Sequence, residues 1–124
     1  MRVLLDTQVL LRLLADSRRV DRDVKMLIER ADTFVSVASI WEISIKAALG
    51  KLHVKPSDVL NVLDPSGFTL LSIQGDHAAR VYELGPHHQD PFDRLLIAQA
   101  QLESMILLTH DETLAAYGDS VRVL

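Results

Sequence analysis

The chain has 124 residues, 48% hydrophobic and 24% charged, so we expect one globular domain, residues 1–124, that buries roughly two-thirds of the unfolded chain's surface. It contains no cysteine, which excludes a disulfide scaffold, a thiolate zinc site and a cysteine nucleophile. Its formal net charge of −4 lacks the basic surplus that is typical of nucleic-acid-binding proteins, although arginines and lysines cluster near the start of the chain.

The first half of the chain alternates between strand and helix patterns. "RVLLD" predicts a short buried strand, "TQVLLRLLAD" predicts an amphipathic helix, and a second helix extends from about Asp21 to Arg30. "TFVSV" predicts the next strand. It is followed by the helix "ASIWEISIKAALGKL", for which Ser39 is the candidate N-cap and Gly50 the candidate terminator.

The second half continues the alternation. Helices are predicted for "PSDVLNVL", "GDHAARVYELG", "DPFDRLLIAQAQLES" and "ETLAAYG", and strands for "FTLLSI", "MILLTHD" and the edge segment "VRVL". Such alternation indicates βαβ units. We therefore expect an α/β fold, a three-layer α/β/α sandwich with a mostly parallel sheet of four to five strands.

The sequence carries no recognisable signal for export or membrane insertion. The apolar N-terminal segment is interrupted by Asp6, and no later stretch approaches the ~20 apolar residues of a transmembrane helix. We therefore expect a cytoplasmic protein with no membrane partner.

Several acidic residues are predicted to meet at one edge of the sheet. Asp6 and Asp111 end predicted strands. Glu42 lies near the start of the helix after "TFVSV", and Asp90 and Asp93 open another helix. The carboxyl ends of parallel strands share one edge, which is where open α/β sheets bind ligands. Converging carboxylates repel one another unless a cation lies between them, so the pattern predicts a divalent-metal site.

Each acid also has a structural explanation. Asp6 and Asp111 are candidate N-caps for the helices that follow them. Two pairs have the i,i+4 spacing of surface ion pairs, Glu42 with Lys46 and Asp90 with Arg94. Asp93 has the weakest such explanation, because aspartate is a poor helix former. The placement of all the acids at one sheet edge favours a functional role for the group.

Oxygen-only ligands indicate a hard cation, so we expect Mg²⁺, for which Mn²⁺ can substitute. His87, His88 and His110 lie close to the acids in sequence, which leaves a zinc or nickel site open. We expect these histidines to be exposed in loops.

Four segments carry a family resemblance in their order and spacing: "LLDTQVLLRLL", "ASIWEISIKAALGKL", "DPFDRLLIAQA" and "LLTHDETLAAYG". Together they closely resemble the PIN-domain ribonucleases, in particular the VapC-type toxins of bacterial toxin-antitoxin pairs, over nearly the whole chain. The resemblance implies an acidic site made of Asp6, Glu42, Asp93 and Asp111. Thr7 and Asp90 are implied as neighbours of that site.

The chain departs from this family pattern at two positions. Gln8 stands where histidine or asparagine often follows "DT", and Arg12 stands where tryptophan is frequent. Neither position is a metal ligand in the family. The departures therefore concern substrate or partner contacts near the first helix.

The resemblance implies a Mg²⁺-dependent endoribonuclease that acts as the toxin of a toxin-antitoxin pair and cleaves cellular RNA with a metal-activated water. Asp6, Asp93 and Asp111 would hold the metal. Glu42 would position or deprotonate the water, or complete the metal shell. Thr7 would hydrogen-bond a metal ligand or a phosphate oxygen.

The same resemblance implies partners. We expect a homodimer and a cognate antitoxin that wraps the helices and can insert a basic residue into the acidic pocket. Arg94 is expected either to pair with Asp90 or to face the RNA.

Three alternatives remain at this point. The first is a non-catalytic PIN-like module that only binds RNA or protein. A phosphoryl-accepting receiver domain would need paired acids after the first strand and a lysine after the last strand, and "VRVL" ends the chain. A haloacid-dehalogenase-type phosphatase would need a second aspartate where Gln8 stands.

Overall fold

One parallel sheet forms the centre of the computed structural model, which describes residues 1–124. Its strands are β1 (Arg2–Leu5), β2 (Asp32–Ser36), β3 (Phe68–Leu71), β4 (Ile106–Thr109) and β5 (Val121–Val123). They lie in the order β3-β2-β1-β4-β5, and every neighbouring pair is parallel. The predicted sheet is confirmed, including "VRVL" as an edge strand.

Six α-helices connect or follow these strands: α1 (Thr7–Ala15), α2 (Arg22–Arg30), α3 (Val37–Ala48), α4 (Pro56–Val62), α5 (Gly75–Arg80) and α6 (Pro91–Leu102). Short 3₁₀ helices occupy Ser17–Arg19, Val81–Glu83 and Glu112–Tyr117. The helix predicted for "GDHAARVYELG" is therefore shorter than expected and ends in a 3₁₀ turn. "ETLAAYG" forms a 3₁₀ helix instead of an α-helix, as is common for short connecting segments.

The start of α3 differs from the prediction. Ser36, not Ser39, caps the helix, because its Oγ accepts a hydrogen bond from the Ala38 N–H at 3.0 Å. Ser39 lies one turn inside the helix and is buried. Gly50 follows the helix end with φ of 74°, the left-handed conformation that glycine adopts at low cost, so it ends the helix as predicted.

Helices cover both faces of the sheet, as the side-chain alternation of a buried strand requires. Val3 and Leu5 of β1 point into a core with α1, α2, α3 and α4. Leu4 points into the opposite core, to which α6 contributes Leu96 and Ile97. The three-layer α/β/α arrangement is confirmed. None of the helices is long and apolar enough to cross a membrane.

The strand order places a switch point beside β1. The chain builds outward from β1 through β2 to β3 on one side, and through β4 to β5 on the other. In open parallel sheets, the crevice at the carboxyl ends of such diverging strands is the usual ligand site. Here that crevice lies at the ends of β1 and β4.

Candidate functional site

A polar pocket of about 340 Å³ occupies this crevice, and no hydrophobic residue lines it. Its walls are formed by Asp6, Thr7, Gln8, Arg12, Glu42, Lys46, Asp90, Asp93, His110 and Asp111. Every acid singled out in the sequence therefore reaches the same pocket. Of the residues expected at the site, Arg94 alone is absent from its walls.

Asp6 is held at the end of β1 by contacts with β4. Its backbone N–H donates to the Leu108 carbonyl at 2.9 Å, which extends the pairing of the two strands by one residue. Its side-chain Oδ2 accepts a hydrogen bond from the buried Thr109 hydroxyl at 2.5 Å. Asp6 occupies the N-cap position of α1, as predicted, but its side chain makes no capping hydrogen bond there. Burial raises the pKa of Asp6, and the nearby Glu42 and Asp111 carboxylates add to the rise.

Glu42 enters the pocket from α3 and is buried. Its Oε2 lies 2.8 Å from the Lys46 Nζ, which confirms the expected i,i+4 ion pair. The hydrogen bond to Glu42 is the main reason that the pKa of Lys46 is raised, and Asp90 and Asp93 add to it. The other oxygen, Oε1, is buried without any hydrogen-bond partner. A buried carboxylate oxygen without a donor is costly, and a cation in the pocket would satisfy it.

Asp93 lies in the first turn of α6 and its side chain is mostly buried. Its Oδ2 is 2.7 Å from the His88 Nε2. Burial, followed by repulsion from the Asp6 carboxylate, raises the pKa of Asp93 from 3.8 to about 6. His88 is partly buried beside Asp93, so the expectation that the histidines are exposed is wrong for it. His87 and His110 are exposed, as expected.

Asp111 and Asp90 both cap helices. The Asp111 Oδ1 accepts from the Thr113 N–H at 3.0 Å and from the Thr113 hydroxyl at 2.6 Å, so its capping role is confirmed. The hydroxyl bond is the main cause that lowers the pKa of Asp111. The Asp90 Oδ1 accepts from the N–H groups of Phe92 and Asp93, at 2.9 and 3.0 Å. One oxygen of each cap carboxylate is thereby engaged, and the Asp111 Oδ2 lies 4.0 Å from the His88 Nε2.

Arg94 neither pairs with Asp90 nor faces the pocket. Its guanidinium donates to the carbonyls of Val81, Gly85 and His88 at 3.0 Å and to the Tyr117 hydroxyl at 3.2 Å. Planar guanidinium groups suit such multiple acceptors. Arg94 therefore ties the segment before α6, which carries His88, to the helix that carries Asp93.

Thr7 lines the pocket as a neighbour of the acids. Its hydroxyl donates to the Ser39 Oγ at 2.8 Å, and both side chains are buried. The Thr7 hydroxyl proton is thus engaged within the protein, where it joins the start of α1 to α3. The side chain stabilises the pocket wall.

The structure adds Thr109, which the sequence did not single out, and brings His88 next to two of the acids. Thr109 lies between two acids, since its hydroxyl donates to Asp6 and accepts from the Asp111 N–H at 3.0 Å. His88 lies 2.7 Å from Asp93 and 4.0 Å from Asp111, and suitable ligand atoms of these three residues lie within 4.8 Å of one another. The threonine at the end of "ILLT", two residues before Asp111, was the available signal for Thr109.

A model of the PIN domain family matches residues 3–119. The chain belongs to the PIN domain family. PIN domains are generally nucleases and typically use a divalent metal. Membership therefore favours hydrolysis of nucleic acids over the receiver-domain and phosphatase alternatives.

Solved structures share the whole PIN domain fold with this chain. A toxin-antitoxin complex from Klebsiella pneumoniae is 22% identical, with a TM-score of 0.68 over 98% of this chain and 96% of that chain. FitAcB from Neisseria gonorrhoeae is 20% identical, with a TM-score of 0.68 over 98% and 96%. VapBC2 from Rickettsia felis, bound to a DNA fragment from its promoter, is 15% identical, with a TM-score of 0.71 over 100% and 98%. Curated protein sequences gave no significant match.

Proposed function

We propose that this PIN domain is a Mg²⁺-dependent endoribonuclease and the toxin of a toxin-antitoxin pair. The observation that carries the proposal is the convergence of Asp6, Glu42, Asp93 and Asp111 on one pocket at the switch point of the sheet. These acids come from four separate parts of the chain, so local helix capping does not account for their meeting.

The donor set fits a hard divalent cation. Asp6, Asp93 and Asp111 would hold it through carboxylate oxygens, and the buried Oε1 of Glu42, which has no hydrogen-bond partner, would face the water molecule that the cation activates. A bound Mg²⁺ or Mn²⁺ supplies positive charge that acidifies a water molecule and offsets the charge developing on the phosphate. The imidazole of His88 lies beside Asp93 and Asp111, and His110 also lines the pocket, which is why softer cations need a separate test.

Each acid has a distinct surrounding, and these surroundings suggest different roles. Glu42 has one oxygen fixed by Lys46 and one without a partner, so Oε1 is the group that would accept a proton from the attacking water. The water oxygen then bonds to phosphorus while the bond to the leaving ribose oxygen breaks, and that oxygen takes up a proton from solvent in the open pocket. Thr109 fixes the orientation of the Asp6 carboxylate by its hydrogen bond.

The proposed partners are a cognate antitoxin, supported by the similar structures, and a second copy of this chain, supported by an exposed apolar surface. The neighbours are described as toxin-antitoxin complexes, which supports a cognate antitoxin for this chain. For the proposed homodimer, Trp41 and Ile45 of α3 and Leu49 at its C-cap are spaced four residues apart and are 57%, 37% and 65% exposed. Leu49→Lys should lower the molar mass measured by light scattering if this face joins two copies. The equally simple change Leu60→Lys, on α4, should leave the mass unchanged.

The decisive experiment for the nuclease is cleavage of structured and single-stranded RNAs by the purified protein. Cleavage should require added Mg²⁺ or Mn²⁺ and should stop with a chelator. For the toxin, expression alone should arrest growth, and co-expression of the neighbouring gene should restore it. Absence of RNA cleavage by folded, metal-loaded protein would contradict the nuclease, whereas cleavage without growth arrest would contradict only the toxin.

A further inference from the structure

Arg12 is a cation at the acidic pocket that has no partner within the protein. Arg12 and Lys46 are the only arginine and lysine that line this pocket. Lys46 is engaged by Glu42 at 2.8 Å. Arg12, in the last turn of α1, is exposed and makes no hydrogen bond or salt bridge through its side chain. An unpaired guanidinium is free to bind an anion from outside the protein.

Arg12 also lines two further surface cavities. One, of about 470 Å³, is lined by Arg12, Ala15, Asp16 and Arg19. The other, of about 350 Å³, is mainly apolar and contains no cation except Arg12. Only the first therefore contains a second cation, Arg19, which lies beyond the end of α1.

Arg19 is available to an external anion as well. Its side chain is 81% exposed, and its Nε lies 3.5 Å from the Asp16 Oδ2. The Arg18 Nε shares the other oxygen of Asp16 at 3.4 Å. Exposed ion pairs of this kind are weak and screened by salt, so a phosphate can compete with Asp16 for the guanidinium.

RNA binding to this chain requires exposed cations close to the pocket, such as Arg12 and Arg19. The net charge is −4, and the acids of the pocket repel any phosphate that is not beside the metal. We infer that Arg12 binds the RNA phosphate next to the scissile one and directs the strand past the C-terminal end of α1 towards Arg19. This assignment rests on the proposed nuclease function. It makes Arg12 a substrate-positioning residue.

The test is the salt dependence of RNA binding. A fluorescent single-stranded RNA is titrated by anisotropy at several KCl concentrations, in an Asp93→Asn background that leaves the RNA intact. Arg12→Gln should lower the slope of log affinity against log salt by about 0.7, the value for one lost phosphate contact on a single strand. At fixed salt the affinity should fall about tenfold, equally for unrelated sequences. Arg12→Lys should retain the slope.

Arg30→Gln is the matched control. Arg30 is also an exposed arginine, but it ends α2 two residues before β2 begins and so lies near the amino ends of the strands, opposite the pocket. Its loss should leave the slope unchanged. Arg19→Gln should also lower the slope, and an unchanged slope for Arg19→Gln would contradict a path from Arg12 to Arg19.

Cleavage kinetics separate this inference from the nuclease proposal. With Asp93 intact, Arg12→Gln should raise KM about tenfold and leave kcat nearly unchanged, because the contact is made equally in the ground and transition states. If the wild-type protein cuts RNA and Arg12→Gln keeps its slope and KM, or if Arg30→Gln loses as much slope, only the Arg12 assignment is wrong. A wild-type protein that neither binds nor cuts RNA overturns both proposals.

Discussion

Asp93→Asn should stabilise the metal-free protein while it abolishes cleavage. The folded environment raises the pKa of Asp93 from 3.8 to about 6, chiefly by burial and then by repulsion from Asp6. A pKa rise of this size corresponds to roughly 3 kcal/mol of destabilisation for the charged carboxylate. Asparagine keeps the shape of the side chain and removes this charge. At neutral pH the mutant should therefore gain up to about 3 kcal/mol.

That gain is large enough to measure by thermal unfolding. A chain of this length shifts its Tm by about 4 °C per kcal/mol, so the metal-free mutant should melt up to about 12 °C above wild type. Mg²⁺ at a hundred times its Kd should stabilise wild type by about 2.7 kcal/mol and the mutant much less. Added Mg²⁺ should therefore close or reverse the gap.

Cleavage and a matched variant complete this experiment. Residues that only support a metal ligand cost about 10- to 100-fold in activity, so removal of a direct ligand should cost more than a hundredfold. Asp58→Asn is the control, because Asp58 is an exposed aspartate in the first turn of α4 and lies outside the pocket. It should change stability by about 0.5 kcal/mol at most and leave both cleavage and the Mg²⁺ response intact. An Asp93→Asn protein that is destabilised and still cuts RNA would refute the assignment of Asp93 to the metal.

Three further predictions follow from the same pocket. The folded pKa of Asp93 lies above the unfolded value, so the folded protein binds more protons than the unfolded protein between about pH 6 and 4. The difference in unfolding free energy between Asp93→Asn and wild type should therefore shrink as the pH falls through this range. Thermal melts that show a constant difference would contradict this. His88→Ala should retain the rise in Tm with Mg²⁺ if carboxylates alone hold the ion, and should lose mainly the response to Zn²⁺ or Ni²⁺. A lost Mg²⁺ response would instead make His88 part of the magnesium site. Thr109→Val removes the hydroxyl between Asp6 and Asp111, and should cost about 1 to 3 kcal/mol and weaken Mg²⁺ binding about 10- to 100-fold by calorimetry, whereas Thr109→Ser should retain both.

The sequence by itself determined the fold class and the edge at which the acids meet. Short apolar runs such as "RVLL" and "ILLT" are typical of strands buried on both faces, and the helices between them require parallel pairing. Parallel strands end at a common edge, so acids directly after them come together whatever the details of packing. Asp6 and Asp111 could therefore be placed near each other although more than a hundred residues separate them.

Helix boundaries could be predicted less accurately from the sequence. Ser36 and Ser39 are both acceptable caps by residue type, and the choice of Ser36 depends on where β2 ends. A shift of three residues is close to one helical turn, so the apolar period barely distinguishes the two.

Only the tertiary structure decided how the site residues are oriented. Spacing alone predicted that Arg94 pairs with Asp90, yet the guanidinium binds carbonyls of the preceding segment because α6 packs against it. The contacts of Thr109 with Asp6 and of His88 with Asp93 likewise join different elements. Hydrogen bonds require donor and acceptor within about 3 Å, and periodicity specifies only which face of an element a side chain occupies. Distances between elements are set by the packing of the two cores, which no local pattern of residues encodes.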